Sequence, residues 1–121
     1  MKNNVLKQSI FIKQLELNVF VGLYEHEKKS PQRLLIDAEV WLAPQKPESD
    51  GFSDIVCYGK LKREIELYFN KHVGTLEKIA YDLCDICLTH PSTTKVSLTL
   101  TKPDIINDVE GVGVTLVQEK N

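Results

Sequence analysis

Glu77 is the residue from which chemistry can first be argued. It stands near the start of the run Gly74-Thr75-Leu76-Glu77-Lys78-Ile79-Ala80-Tyr81-Asp82-Leu83-Cys84-Asp85-Ile86-Cys87. Leu76, Ile79, Ala80, Leu83, Ile86 and Cys87 recur there at the three- and four-residue spacing of one helical face, with Thr75 as N-cap behind Gly74. On such a helix the Glu77 carboxylate leaves from the border of the apolar stripe, close to the N-terminus, where the dipole favours its ionised form. A carboxylate so placed can accept two parallel hydrogen bonds from a flat, amidine-like group. An ordinary first-turn glutamate only complements the dipole from water, and periodicity by itself favours that plainer role.

A second candidate is the C-x-x-C of Cys84 and Cys87, followed three residues later by His90. Metal binding is the chemistry this suggests. However, both cysteines fall on or beside the apolar helical face, Cys57 is distant in sequence, and no second C-x-x-C completes a tetrahedral set. Small buried hydrophobes are the expectation. His26 and His72 stand alone, without an H-x-H or H-E-x-x-H, so no metal ligands and no cofactor are assigned.

The elements that must position these groups follow from patterning. A chain of 121 residues, 42% apolar and 26% charged, predicts one ordinary globular domain over 1–121, neither disordered nor membrane-spanning. A net charge of −2 without a basic run argues against a nucleic-acid surface. The first twelve residues lack an apolar block long enough for a signal peptide, so a cytoplasmic location with reduced thiols is expected.

Period-two alternation predicts a strand over Gln14–Phe20 and another in which Leu34, Ile36, Ala38, Val40 and Leu42 share one side. Leu35 and Trp41 make the other side of that strand partly apolar, which predicts a covering layer or subunit contact there. The stretch from Val21 to Pro31 reads as a loop, and so does Ala43–Ser53 with its two prolines. Leu61, Ile65 and Tyr68 give a one-sided helix from about Tyr58, and the Glu77 helix follows. Val96, Leu98 and Leu100 alternate with polar residues in a third strand that Lys102-Pro103 stops. After a loop from Asp104 to Glu110, Gly111–Val117 makes a last strand whose small residues allow close backbone approach. The order is ββααββ, an α+β domain of two layers with one antiparallel sheet and helices on one face. Its open edges predict pairing with copies of itself in a ring.

Several stretches in this order are similar to those of the dihydroneopterin aldolase family. They are Gly22-Leu23-Tyr24-Glu25-His26-Glu27, Gln32, Ser49-Asp50, Asp54 to Tyr58-Gly59, Leu76-Glu77-Lys78-Ile79-Ala80, Thr101-Lys102-Pro103 and Val112-Gly113-Val114. The resemblance implies the tunnelling fold, in which four-stranded sheets join edge to edge as a barrel of four subunits, often stacked as an octamer, with sites between neighbours. It implies that Glu77, with Leu76 beside it, anchors the pterin 2-amino and N3 groups. Lys102 is then the general acid/base group, Tyr58 of a neighbouring subunit a proton donor to the intermediate, and Glu27 a support for Lys102 and the substrate side chain. Without the resemblance, Lys102 is a strand-end lysine in water, Tyr58 a helix-start aromatic and Glu27 one of several loop charges.

The reaction implied is retro-aldol cleavage of 7,8-dihydroneopterin without metal or Schiff base. The sequence departs from the family at Val21, where many members have His, and in the loop after Asp104. The related dihydroneopterin triphosphate 2′-epimerase and a non-catalytic pterin-binding ring protein are the alternatives; the presence of Glu77, Lys102 and Tyr58 together favours an enzyme.

Overall fold

The computed structural model describes residues 3–51 and 56–121. The end of the loop expected over Ala43–Ser53, and Asp54 of the family-like stretch, lie outside them. The elements run β1 (Gln8–Val19), α1 (Glu25–Lys29), β2 (Gln32–Leu42), α2 (Tyr58–Tyr68), α3 (Leu76–Cys87), β3 (Thr93–Lys102) and β4 (Val112–Glu119). The strands form one four-stranded antiparallel sheet in the order β1-β2-β3-β4. This is the expected α+β layering, with two departures that both bear on the site.

The first departure is β1, which starts six residues earlier than the alternation from Gln14 suggests. Ile10 and Ile12 face the core, and so do Leu15 and Leu17, which lie in the opposite sequence phase. The register with β2 shifts between Ile12 and Leu15, and Gln14 takes up the shift with a left-handed φ of 54°. Asp37 on β2 fixes the bulge by accepting the Gln14 N–H at 2.8 Å. A bulge reverses the phase of the pattern, so a period-two reading begun at Gln14 misses everything before it.

The second departure is α1, expected as loop. Its five residues, Glu-His-Glu-Lys-Lys, are too few and too polar to show an apolar stripe. The Glu27 side chain nevertheless reaches back to accept the Tyr24 N–H at 3.3 Å, as the third residue of a capping box does.

The core lies between the sheet and the two long helices. Leu34, Ile36 and Val40 of β2 and Val96, Leu98 and Leu100 of β3 meet Ile65 of α2 and Ile79, Leu83, Cys84 and Cys87 of α3. Thr75 caps α3 by accepting the Lys78 N–H, and the Cys57 thiol caps α2 by accepting the Lys60 N–H. Tyr68 of α2 donates at 2.6 Å to Asp82 of α3, which Lys78 also holds, so the two helices are pinned to each other. On the far face of the sheet Trp41 is half-buried, and Lys95, its cross-strand neighbour, sits 4.8 Å over its ring. Cover for that tryptophan thus comes partly from within the chain.

Because the bulge needs a positive φ that glutamine adopts at a cost, Gln14→Gly should raise stability by about 0.5–1 kcal/mol, and β-branched Gln14→Val should lower it by a similar amount or more. Urea denaturation monitored by circular dichroism checks both signs.

Candidate active site

Two strands deliver polar residues to positions where their alternation calls for apolar ones. Lys102 continues the inward series Val96, Leu98 and Leu100 at the end of β3, and Gln32 continues the series from Leu42 to Leu34 at the start of β2. Lys102 is therefore not a lysine in water: its side chain is only 13% exposed. Its Nζ donates at 2.8 Å to Oε2 of Glu27, which is 4% exposed and the one buried charged residue among the described residues. Gln32 donates to the same oxygen at 3.0 Å, and its amide also meets the Val21 carbonyl at 2.7 Å.

Burial alone would raise the Glu27 carboxyl's pKa. The hydrogen bonds from Lys102, Gln32 and the Tyr24 N–H outweigh it and hold the group at about 2, below its ordinary 4.5. The carboxylate is consequently ionised throughout the neutral range.

Gly22 makes this burial possible. Its φ of 133° lies in the region that favours glycine, and a side chain there would overlap the Glu27 carboxyl group. At the other end of the pair, Gly113 lies opposite Thr101, where a Cβ would run into the Leu100 carbonyl. The close approach of β4 expected from its small residues is therefore real, and it lies directly beside Lys102.

The segment carrying Gly22 also reaches α3. Gly22 donates to the Val73 carbonyl, Val73 donates to Phe20, and His72 Nε2 meets the Gly22 carbonyl at 2.8 Å. Because a carbonyl only accepts, His72 supplies the proton from Nε2. Three residues beyond Val73, α3 begins with buried Leu76 and exposed Glu77. The Glu27–Lys102 pair and the Glu77 end of α3 are thus bound into one framework.

Tyr58 is not brought to the pair. It opens α2 with 64% exposure and makes no hydrogen bond to Glu27, Lys102 or Glu77. Phe20, Leu23 and Tyr24 on one side and Ile105 and Ile106 on the other also expose apolar surface in the segments around the pair.

The cysteines behave as the small hydrophobes expected. Cys84 and Cys87 are buried in the core, and burial pushes their thiols up to about 11 and about 12. Thiolate, the reactive and metal-binding form, is therefore disfavoured.

Sequence reasoning gave no role to Gly22, Gln32 or His72. A signal was present for the first two. Gly22, Glu27 and Gln32 are spaced five apart, and Gln32 and Lys102 both extend an inward apolar alternation with a polar residue. His72, in an irregular segment, offered none.

The fold is that of a small α+β domain with a buried lysine–carboxylate pair at one end of its sheet. The chain belongs to the dihydroneopterin aldolase family, whose model, described as FolB: Dihydroneopterin aldolase, matches residues 10–117. A dihydroneopterin aldolase of Haemophilus influenzae is 26% identical over 111 residues, covering 90% of this chain and 94% of that protein. A dihydroneopterin triphosphate 2′-epimerase of Escherichia coli K12 is 27% identical over 109 residues, covering 88% and 91%. The crystal structure of E. coli dihydroneopterin aldolase in complex with neopterin superimposes with a TM-score of 0.83 at 23% identity, over 92% of this chain and 98% of that one.

Glu27 also sets an acid limit on stability. Its folded pKa of about 2 lies below the ordinary 4.5, so its contribution is present above pH 4.5 and is lost as the pH falls towards 2. The shift corresponds to at most about 3 kcal/mol. Glu27→Gln should flatten the stability profile between pH 5 and pH 2, as measured by urea denaturation at a series of pH values.

Proposed function

We propose that this protein cleaves 7,8-dihydroneopterin by a retro-aldol reaction to 6-hydroxymethyl-7,8-dihydropterin and glycolaldehyde, a step of folate biosynthesis, without metal or lysine imine. The observation that carries this reading is the Lys102–Glu27 pair. An imine-forming lysine must present a free amine to a carbonyl, whereas Lys102 already donates to an ionised carboxylate at 2.8 Å. That arrangement suits a group that passes protons.

The substrate's own structure supplies the remaining chemistry. A 7,8-dihydropterin carries an N5=C6 imine one bond from C1′. When the 2′-hydroxyl loses its proton, the C1′–C2′ bond breaks and its electrons run into the C6=C1′ enamine, while C2′ leaves as the aldehyde carbon of glycolaldehyde. Protonation at C1′ then gives the hydroxymethyl product. The protein has to hold the ring and move two protons, and positioning and proton transfer are each worth roughly 10²-fold or more.

The roles divide accordingly. Glu77, exposed at the N-terminus of α3, grips the ring's 2-amino and N3 donors, with Leu76 beside it. Lys102 serves as acid/base group, and Glu27 holds Lys102 and the substrate side chain. Tyr58 protonates the intermediate from a neighbouring subunit, a role that its exposed position away from the pair supports. The outer strands β1 and β4 have unpaired edges that a tetrameric or octameric ring would close. The protein would work in the cytoplasm, and no helix among the described residues is long and apolar enough to cross a membrane.

Epimerisation at C2′ is a second outcome of the same intermediate, should glycolaldehyde recombine before it escapes.

Incubation of the purified protein with 7,8-dihydroneopterin in the presence of a chelator should release glycolaldehyde; release from neither it nor its triphosphate would refute the reading. Lys102→Ala should leave pterin binding nearly intact and slow turnover by roughly 10²-fold or more. Glu77→Gln should instead weaken binding by about 2–3 kcal/mol, because one acceptor and a misplaced donor replace a charge-assisted pair. Calorimetric titration with the product separates the two effects.

A further inference from the structure

The backbone ladder between β2 and β3 ends at the pair Leu35–Thr101, one residue short of Lys102. From there on, Lys102 is paired, among the described strands, with Val112 on the outer strand β4. Something else must hold its end of β3 against β2, where Gln32 and the Glu27 carboxylate wait.

Arg33 and Asp104 lie at that place. The Arg33 guanidinium grips Asp104 as a fork, Nε to Oδ2 at 2.9 Å and Nη2 to Oδ1 at 2.8 Å, and its third nitrogen donates to Glu16 Oε1 on β1 at 3.1 Å. Arg33 follows Gln32 directly, and Asp104 follows Lys102 by two residues. By strand alternation Gln32 points to the helix side and Arg33 to the opposite side. The end of β3 is therefore cross-linked to β2 on both faces: by Lys102–Glu27–Gln32 inside and by Asp104–Arg33 outside.

We propose that the Arg33–Asp104 fork, steadied by Glu16, is a positioning device for Lys102: it extends the β2–β3 contact beyond the last ladder pair and thereby fixes the lysine's distance from Glu27. The inference rests on the acid/base role of Lys102 proposed above and adds residues to it that do not touch substrate. A single exposed ion pair contributes little, but a bidentate guanidinium–carboxylate contact also fixes direction, which is what the strand end lacks. The hydrogen bonds between them draw the Asp104 carboxyl below its ordinary range and raise the Arg33 guanidinium further above neutrality, so the fork is charged at neutral pH. Lysine cannot substitute, because a point charge has no planar fork.

The test uses the whole protein with 7,8-dihydroneopterin as substrate. Arg33→Ala and Asp104→Ala should each lower kcat by about 3- to 10-fold, as expected of lost positioning, while leaving product affinity unchanged. Amide hydrogen exchange should accelerate at Thr101, Lys102 and Asp104. Arg33→Lys, which keeps the charge without the planar fork, should keep only a part of the wild-type kcat. Wild-type kcat in either alanine variant or in Arg33→Lys overturns the proposal. Unchanged exchange at the strand end also overturns it, and that readout is independent of turnover. A wild-type protein without any turnover would instead refute the proposed reaction, with the exchange measurement still deciding whether the fork holds Lys102.

Discussion

A carboxylate kept ionised in a nearly dry place is the constraint around which this domain is arranged. Removing a charged Glu27 from water is unfavourable unless donors replace the lost solvent. The chain supplies three, two of them local and one distant: the Tyr24 N–H, the Gln32 amide and Lys102, which is seventy-five positions away. Each donor requires its own support. Tyr24 is in place because α1 forms a turn there, and Gln32 because β2 starts inward. Lys102 is in place because β3 and β4 approach closely at Gly113, and Gly22 gives up a side chain so that the carboxyl group fits at all. A hydrophobic pair of similar size would avoid that desolvation cost.

The same arrangement explains why the site sits at one end of the sheet. Inside the sheet the inward positions are filled by Leu, Ile and Val packed against α2 and α3. At the end where the β2–β3 ladder stops, Gln32 and Lys102 take the inward positions, and there the irregular segment Phe20–Gly22 bridges to Val73 and the start of α3. A helix N-terminus with its exposed acid is thereby fixed relative to a buried lysine–carboxylate pair. Rigid main chain sets the distance between the two.

Much of this was legible in the sequence, for local reasons. Strands β2, β3 and β4 announce themselves by alternation, and α2 and α3 by apolar stripes with identifiable caps, because these patterns are short-range. What the pattern missed depends on contacts it cannot see. The first half of β1 was hidden by the phase reversal at Gln14, whose bulge is held by Asp37 on another strand. Helix α1 was hidden because its reason for forming is one carboxylate bound elsewhere. Glu27 looked like one loop charge among several, since its burial is created by Gly22, Gln32 and Lys102 together. Glu77 stood out from periodicity, but only family resemblance gave it a partner molecule, and Tyr58 owes its proposed role to that resemblance alone.

The central claim is that Glu27 and Lys102 act as one proton-handling unit. A double-mutant cycle in kcat with Glu27→Gln, Lys102→Ala and the combined variant, each checked for native circular dichroism, tests it most directly. The account predicts strong non-additivity, with the combined variant hardly slower than Lys102→Ala alone. Losses that simply multiply would show two independent groups and contradict it.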